Sequence, residues 1–311
     1  MLDVHRLRLL RELDRRGTLA AVARALSYSP SAISQQLTQL EAETGVTLLE
    51  PAGRGVRLTA QARVLVEHTD AILERLEQAE ADLRASLTEV SGTLRVASFQ
   101  SVLLALIPAA LTVLAERYPR LRIEIEQQEA GAALAGLVAH DFDVVLGEEY
   151  PGLSPARVQG VHTQQLAHDE LWLALPRTGK HAGVIADDGS SVRLAALDGL
   201  PWILDPQEGA PGQWQRNLLR SGGFEPDVRF ESPDLLLAVH LVETGHAATI
   251  LPGLLLTADR RPLMRLAHLP GRPHRRLTTS VRAGAARQPA VRAFRDALRT
   301  GLRHSAQEPP A

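Results

Sequence analysis

Between Pro30 and Gln39 the chain carries Ser31, Ser34, Gln35, Gln36, Thr38 and Gln39, and no charged residue. Hydroxyls and amides both donate and accept hydrogen bonds. A helix face dressed with them, rather than with the Lys and Glu of an ordinary solvated face, can read base edges in the major groove of DNA. A Gln amide can bond adenine bidentately, worth about 1–3 kcal/mol of discrimination, and Gln35 and Gln39 are best placed for that. A second set is acidic: Glu148, Asp205 and Asp234 follow strand-like runs and suit an amine-bearing or otherwise cationic ligand. Asp205, before Pro206, has a competing role as a turn residue and Asp234 one as a first-turn helix residue, which Asp favours anyway. Among the eleven histidines, His240 with His246 and His162 with His168 invite a metal. Neither pair has the i, i+4 spacing that stacks two imidazoles on a helix, no HExxH occurs, and Ser190-Ser191 in DDGSS has no elbow around it. The spacings argue against metal binding and catalysis.

The elements that position the first set are legible. Leu19, Val22, Ala23 and Leu26 repeat at three- and four-residue spacing, which predicts one buried face of a helix, with Thr18 as its N-cap. Ser27, Tyr28 and Ser29 break the pattern. Ser29 is the next N-cap, and Pro30 takes the first helical position, where proline is best tolerated. The second helix buries Ile33, Leu37 and Leu40. Together they predict a helix-turn-helix over Thr18–Glu41. Residues 2–16, ended by Gly17, form a preceding helix with Leu2, Val4 or His5, Leu9, Leu10 and Leu13 on its packed side. After Gly45, two short strands around Pro51-Ala52-Gly53 make a wing. Its tip carries Arg54, a phosphate or minor-groove contact or an ordinary solvated turn residue. Thr59 then caps a helix over 60–88 in which Leu65, Thr69, Ile72, Leu76, Ala79 and Leu83 follow a 4-3-4-3-4 spacing. That is the heptad seam of a coiled coil, so the helix is expected to pair with a copy of itself.

Composition sets the bounds. The 311 residues, 45% hydrophobic and 23% charged, are those of a soluble globular chain of two or three domains. No run of about 18 apolar residues occurs, and MLDVHRLRLLRELDRRG is charged throughout, unlike a secretory signal. A cytoplasmic protein without membrane contact is the expectation. Cysteine is absent, which excludes disulfides, thiolate metal sites and a cysteine-based redox sensor. Charge is unevenly spread: residues 1–65 carry a net +3, 66–90 a net −5, 91–258 a net −9 and 259–304 a net +10. The last block tempts one toward a second nucleic-acid site, but its arginines are scattered among strand- and helix-like segments and can pair with the acidic middle.

From Thr93 the periodicity changes. Leu94–Ala97, Leu121–Gln127 and Phe142–Gly147 read as strands, separated by helices over about 101–118 and 130–139. This order implies a parallel sheet. After a switch, strands at Glu170–Leu175, Pro201–Leu204, Val228–Glu231, Ala248–Leu251 and Leu277–Val281 alternate with helices over 212–222 and 233–244. A final helix covers about 289–303. Two α/β halves of similar size leave a cleft between them, with ligands expected at strand carboxyl ends. There Ser98, Phe99, Gln100 and Ser101 offer helix-start N–H groups that suit a carboxylate or phosphate.

Taken together, the chain resembles a LysR-type transcriptional regulator along its whole length. The resemblance is carried by AAVARAL, SPSAISQQLTQLEAETGVTLLE and GRGVRLT in the first 60 residues and by VETGHAATILP later. It implies an α/β protein with a winged helix-turn-helix domain at 1–59, a linker (dimerisation) helix at 60–90 and a periplasmic-binding-protein-like effector domain of two subdomains at 91–304. A disordered tail would follow at 305–311. It further implies a homotetramer, control of its own or a neighbouring gene, and a small metabolite of unknown identity between the subdomains, with no cofactor. By position, the recognition face is Pro30, Ser31, Ser34, Gln35, Thr38 and Gln39, with Thr18 and Arg54 on phosphates. The chain departs from the family pattern at Pro30, where glutamine is commoner, and at Glu50, where a basic residue is usual. Where the family often has a hydroxyl beside the second strand, Glu129-Ala130-Gly131-Ala132 stands instead, so Gly131 would meet the effector without that hydrogen bond. Among rivals, an architectural DNA-binding protein would be small and strongly basic. Two hundred residues of α/β with a cleft argue against it.

Overall fold

The computed structural model describes residues 1–53, 55–86, 89–154, 158–177, 192–256 and 263–307. Arg54, Ser190 and Ser191 lie outside them. The chain divides into two compact units, Met1–Leu87 with Arg282–Gln288, and Thr88–Val281 with Pro289–Ala311.

In the first unit, α1 (Val4–Arg16), α2 (Leu19–Leu26) and α3 (Pro30–Thr44) close on a core of Leu7, Leu9, Leu10, Leu13, Val22, Ile33, Leu37 and Leu40. Caps set their ends. Thr18 accepts from the Ala21 N–H at 3.1 Å and Ser29 from the Ala32 N–H at 3.1 Å. Gly17 and Gly45 end α1 and α3 in the left-handed region, at φ 75° and 70°, where L side chains are strained. Leu2 and Val4, expected on the packed side of α1, are exposed instead. Asp3 caps the helix through the His5 and Arg6 N–H groups, so Leu2 precedes it and Val4 lies one turn outside the core that Leu7 enters.

Strands β1 (Leu49–Ala52) and β2 (Gly55–Leu58) form the antiparallel hairpin. Helix α4 (Ala60–Ala85) follows, capped by Thr59, whose hydroxyl accepts from the Ala62 N–H and donates to the Thr47 carbonyl. Its Ala62, Val66 and Thr69 are buried and α1 packs along it. Arg11 and Arg15 of α1 both reach Asp70, at 2.6 and 3.0 Å. Thr69 therefore leaves the expected seam: it is buried and donates to the Leu65 carbonyl at 2.7 Å. Ile72, Leu76 and Leu83 are 38%, 45% and 70% exposed. The segment 282–288 also packs on α4, where Arg282 pairs with Glu77 at 2.7 Å. A Cβ at Gly284 would stand 2.5 Å from the Glu74 carbonyl, so only glycine fits.

The second unit holds β3 (Gly92–Ser98), α5 (Gln100–Ala105), α6 (Ile107–Arg117), β4 (Leu121–Gln127), α7 (Ala130–Val138), β5 (Val144–Glu149) and β6 (Val161–Leu175). Next come β7 (Pro201–Leu204), α8 (Ala210–Arg220), β8 (Asp227–Glu231), α9 (Leu235–Glu243), β9 (Thr249–Pro252), β10 (Arg265–His268), β11 (His274–Arg282) and α10 (Pro289–Gln307). The main sheet has the order β10-β6-β11-β5-β3-β4, with β9 also on β6. Pairing is parallel for β3 with β4 and β5, as the β-α-β order implies, but β11 and β9 run antiparallel to their neighbours. A separate parallel pair, β7–β8, joins through the Trp202–Ala248 bridge. The long β6 serves both halves. Its start lies by β11, where Thr163 and Ser280 hydroxyls meet at 2.8 Å, and its end pairs with β9 and β10.

Three further expectations need correction. The helix over 101–118 is two helices broken at Leu106, because Pro108 in the first turn of α6 lacks an N–H and its ring excludes the preceding turn. The final helix runs on to Gln307, so residues 305–307 are helical rather than a loose tail. Strand β6 starts nine residues before Glu170.

Candidate functional site

Two places bring the chemistry-bearing residues together, one in each unit. On α3, Ile33, Leu37 and Leu40 are fully buried, which turns Ser31, Ser34, Gln35, Thr38 and Gln39 outward, all exposed. Gln36 does not join them. It is half-buried and accepts from Arg6 Nε at 3.0 Å, and Arg6 also pairs with Glu43. Pro30 opens the helix, and the exposed Thr18 caps α2. Glu41, at the end of the helix-turn-helix stretch, ties α3 to the hairpin: its Oε1 accepts from the Leu48 and Leu49 N–H groups at 2.8 and 3.0 Å. On the hairpin, Glu50 faces Arg57 across the strands at 2.7 Å, so one of the wing's cations already has a carboxylate beside it.

In the second unit a cleft of about 460 Å³, open mouth included, lies among α5, α8 and the ends of β5, β7 and β11. Its lining includes Phe99, Gln100, Ser101, Glu148 and Asp205 of the expected set, together with Glu129, Tyr150, Trp214, Gln215 and Arg275. Ser98, Gly131 and Asp234 are not part of it. Ser98 is wholly buried, Gly131 lies in the exposed first turn of α7, and Asp234 is exposed and caps α9 through the Leu236 N–H at 2.9 Å. Asp234 also accepts from Gln100 Nε2 at 3.0 Å, and this hydrogen bond holds its carboxyl below the usual range. The other end of the same amide accepts from the Leu235 N–H at 2.7 Å. Gln100 is thus a strut to the start of α9.

Arg275 organises the floor. Its Nε donates to Asp169 at 2.9 Å, Nη1 to Glu148 at 2.6 Å and Nη2 to Ser101 at 2.7 Å, while the guanidinium lies 5.4 Å from the Phe99 ring centre. Burial works against its charge, but Glu148, Tyr150 and Asp169 more than offset that and hold it protonated. Burial pushes Asp169 up, and Arg275 pulls it back. Tyr150 donates to Glu148 Oε2 at 2.9 Å and packs against Trp214 with ring centres 5.5 Å apart. Burial, then Glu148, raises its phenol well above the ordinary value. Asp205 is gripped by Gln215, which donates to Oδ2 and accepts from the Asp205 N–H, both at 2.9 Å. Arg216 holds its carbonyl at 2.7 Å. These contacts need α8 close, and a Cβ at Gly212 would come within 2.4 Å of the Asp205 carbonyl. Burial and the neighbouring Glu148 push the Asp205 carboxyl up to about 7, against the hydrogen bond from Gln215. Glu129, at the mouth, is raised by partial burial and by Glu148.

Arg275 is the functional residue that strand-end chemistry does not flag. Its signal lies in the strand pattern: it precedes Leu277 and Thr279 on the buried face of an alternating strand, where an arginine must find partners.

Comparison with known proteins matches both units. Residues 4–63 match the family described as bacterial regulatory helix-turn-helix protein, lysR family, and residues 88–303 match the LysR substrate binding domain. The chain belongs to the LysR family. It is a DNA-binding transcriptional regulator with an effector-binding domain, not an enzyme. Among relatives of this LysR-type regulator, the HTH-type transcriptional regulator ClcR of Pseudomonas putida is 28% identical over 253 residues, 81% of this chain and 83% of that protein. The crystal structure of CbnR, a LysR family transcriptional regulator, has a TM-score of 0.54 at 26% identity, covering 96% of this chain and 100% of that one. CbnR has also been solved in complex with its target DNA, with a TM-score of 0.53 at 25% identity and the same coverage. A full-length OxyR variant from Pseudomonas aeruginosa has a TM-score of 0.67 at 19% identity, covering 96% of this chain and 95% of that one. That likeness is one of fold, and this LysR-type chain has no cysteine. No helix among the described residues is long and apolar enough to cross a membrane.

Proposed function

We propose that this LysR-family regulator reads its operator with the exposed face of α3 and answers to an organic ligand held in the cleft of the second unit. The observation that carries the first part is the outward row Ser31, Ser34, Gln35, Thr38 and Gln39 on a helix whose opposite face is anchored at Ile33, Leu37 and Leu40. A rigid helix with uncharged donors and acceptors can discriminate bases, not merely attract phosphate. Pro30 and Thr18 sit at helix starts, where backbone N–H groups can meet phosphate oxygens, and Arg54, outside the described residues, is assigned to the DNA backbone from the sequence alone, as a cation between the two wing segments. The match of residues 4–63 to a regulatory helix-turn-helix family supports reading this unit as the DNA-binding one. The open row Ile72, Leu76 and Leu83 on α4 favours pairing with a second copy, and so two reading heads per particle, within a homotetramer acting in the cytoplasm.

The cleft is assigned to the effector because Phe99, Gln100, Ser101, Glu148 and Asp205 line a concave space at strand carboxyl ends. The test of the DNA assignment is a footprint. Gln35→Ala should lose about 1–3 kcal/mol of preference for operator over scrambled DNA, with binding to scrambled DNA unchanged. An unaltered footprint and preference would overturn the reading of α3.

A further inference from the structure

The charges around the cleft do not balance. Glu129, Glu148 and Asp205 line it, against Arg275 as the single cation of the lining among the described residues. That cation is committed. Its side chain is 2% exposed, and its guanidinium donates to Asp169, Glu148 and Ser101 at 2.6–2.9 Å. A carboxylate ligand would have to displace a buried carboxylate from Arg275 and then lie beside Glu129 and Asp205. The side chains at the start of α5 are already engaged. The Ser101 hydroxyl already accepts from Arg275, and the Gln100 amide is engaged by Asp234 and the Leu235 N–H.

Glu148 points the other way. Its side chain is 7% exposed, and both hydrogen bonds it accepts, from Arg275 and from Tyr150, arrive at Oε2. No described residue donates to Oε1, although the side chain lines the cleft. Oε1 is not sealed from the cleft, so a donor from a ligand can reach the acceptor that the fold leaves open. Glu129 at the mouth likewise has no donor to its carboxylate among the described residues. The remaining wall is apolar and aromatic: Tyr150, Trp214, Leu171 and Ile250. Faces of that kind attract a cation as well as a hydrocarbon chain. No three acidic or histidine side chains among the described residues converge as they would around a metal ion, so the complementary cation is organic.

We infer that the cleft takes a primary amine, its ammonium donating to Glu148 Oε1 and its hydrocarbon body lying against Tyr150 and Trp214, with Asp205 and Glu129 adding to the negative field of the lining. An ammonium brings three donors and no acceptor, which is what three acids and an unpaired Oε1 call for. The inference rests on reading the cleft as the effector site and names the class of effector. It also sets a pH dependence. Asp205 ionises at about 7, pushed there by burial, Glu148 and Glu129 against Gln215 and Arg275. An ammonium favours its ionised form, so a proton leaves as the amine binds. Affinity then rises from pH 6 to pH 8 by about tenfold.

The test is calorimetric titration of the full-length protein at pH 6 and pH 8 with butylamine, 1,4-diaminobutane and 2-phenylethylamine. Pentanoate, adipate and 3-phenylpropionate are the matched anions. At least one amine should bind, more tightly at pH 8, with no anion binding. Glu129→Gln should weaken that amine about tenfold; this side chain accepts no hydrogen bond from the described residues, so the variant keeps its structure. Asp205→Asn should abolish the pH dependence. Binding of an anion, no binding by either series at tens of millimolar, or amine affinity indifferent to both substitutions would overturn the inference. Operator footprints with the same compounds separate the two levels. An anion that binds and shifts the footprint removes the amine but leaves the cleft as effector site. A binder whose effect on the footprint survives every change in the cleft removes the effector reading itself.

Discussion

Replacing Arg275 with Leu removes a guanidinium that three buried or half-buried groups share: Asp169, Glu148 and Ser101. Each carboxylate keeps one donor. Asp169 still accepts from the Leu254 N–H at 2.9 Å, and Glu148 from Tyr150. Both are left charged at 5% and 7% exposure without a counter-ion. Breaking a buried pair by removing one partner costs about 3–5 kcal/mol. In a unit of this size each kcal/mol moves the midpoint by about 2–4 °C, so the unfolding transition should fall by roughly 6–20 °C. Differential scanning calorimetry of the full chain can follow the second unit's transition separately, since two units need not melt as one. The deficit must depend on pH with a definite sign. Burial already raises Asp169, and Arg275 is what pulls it back, so without Arg275 it rises further above its unfolded value. An acid raised in this way weakens the fold once ionised and returns the loss as pH falls and it takes a proton. The variant should therefore be furthest below the parent at pH 8 and closest at pH 5. A deficit under about 1 kcal/mol, the size of one ordinary hydrogen bond, or one that grows toward pH 5, would refute the account of Arg275 as the buried counter-ion of the floor.

Two further outcomes follow from the first unit. Glu41→Ala leaves the Leu48 and Leu49 N–H groups without their acceptor. It should cost that unit about 2–4 kcal/mol in denaturant unfolding, with Glu41→Gln recovering about half because the charge assistance alone is lost. Leu76→Glu places a charge in the exposed row of α4 and should shift sedimentation toward the monomer while thermal stability of the first unit stays within about 0.5 kcal/mol; an unchanged oligomer would exclude this face as the pairing seam.

Local chemistry made the first unit readable. Thr18, Ser29 and Thr59 each cap the helix assigned to them, because an N-cap is decided by a residue and the two or three that follow it. Ile33, Leu37 and Leu40 are buried as their spacing implies. Reading failed where a neighbour distant in sequence decided the outcome. Thr69 fits a heptad, but Ala62 and Val66 share its face and α1 packs there, so the seam loses that position to the unit's own core. The polar opening of β6, VHTQQLAH, lacks the alternation of a half-buried strand and becomes one because β11 lies alongside it.

The cleft shows the same limit more sharply. Partners of Arg275 lie 106, 127 and 174 positions away in the chain, so no window of sequence contains the floor it builds. What sequence could supply was the chemistry of single residues at strand ends, and acids suggested a cation. It could not say which acids. Asp234 caps a helix and is engaged by Gln100, whereas Glu129, which reads as loop, stands at the mouth. Both are visible as acidic residues, and only the fold separates a carboxylate whose hydrogen bonds are spent on the chain's own donors from one with none. Glu148 adds the reason this matters. Arg275 and Tyr150 both engage one oxygen and no described residue donates to the other, so on the proposed reading the same carboxylate ties the floor together and supplies the acceptor. A substitution at Glu148 would disturb both roles at once, which is why Glu129, outside the floor's hydrogen bonds, is the position at which charge recognition can be separated from stability.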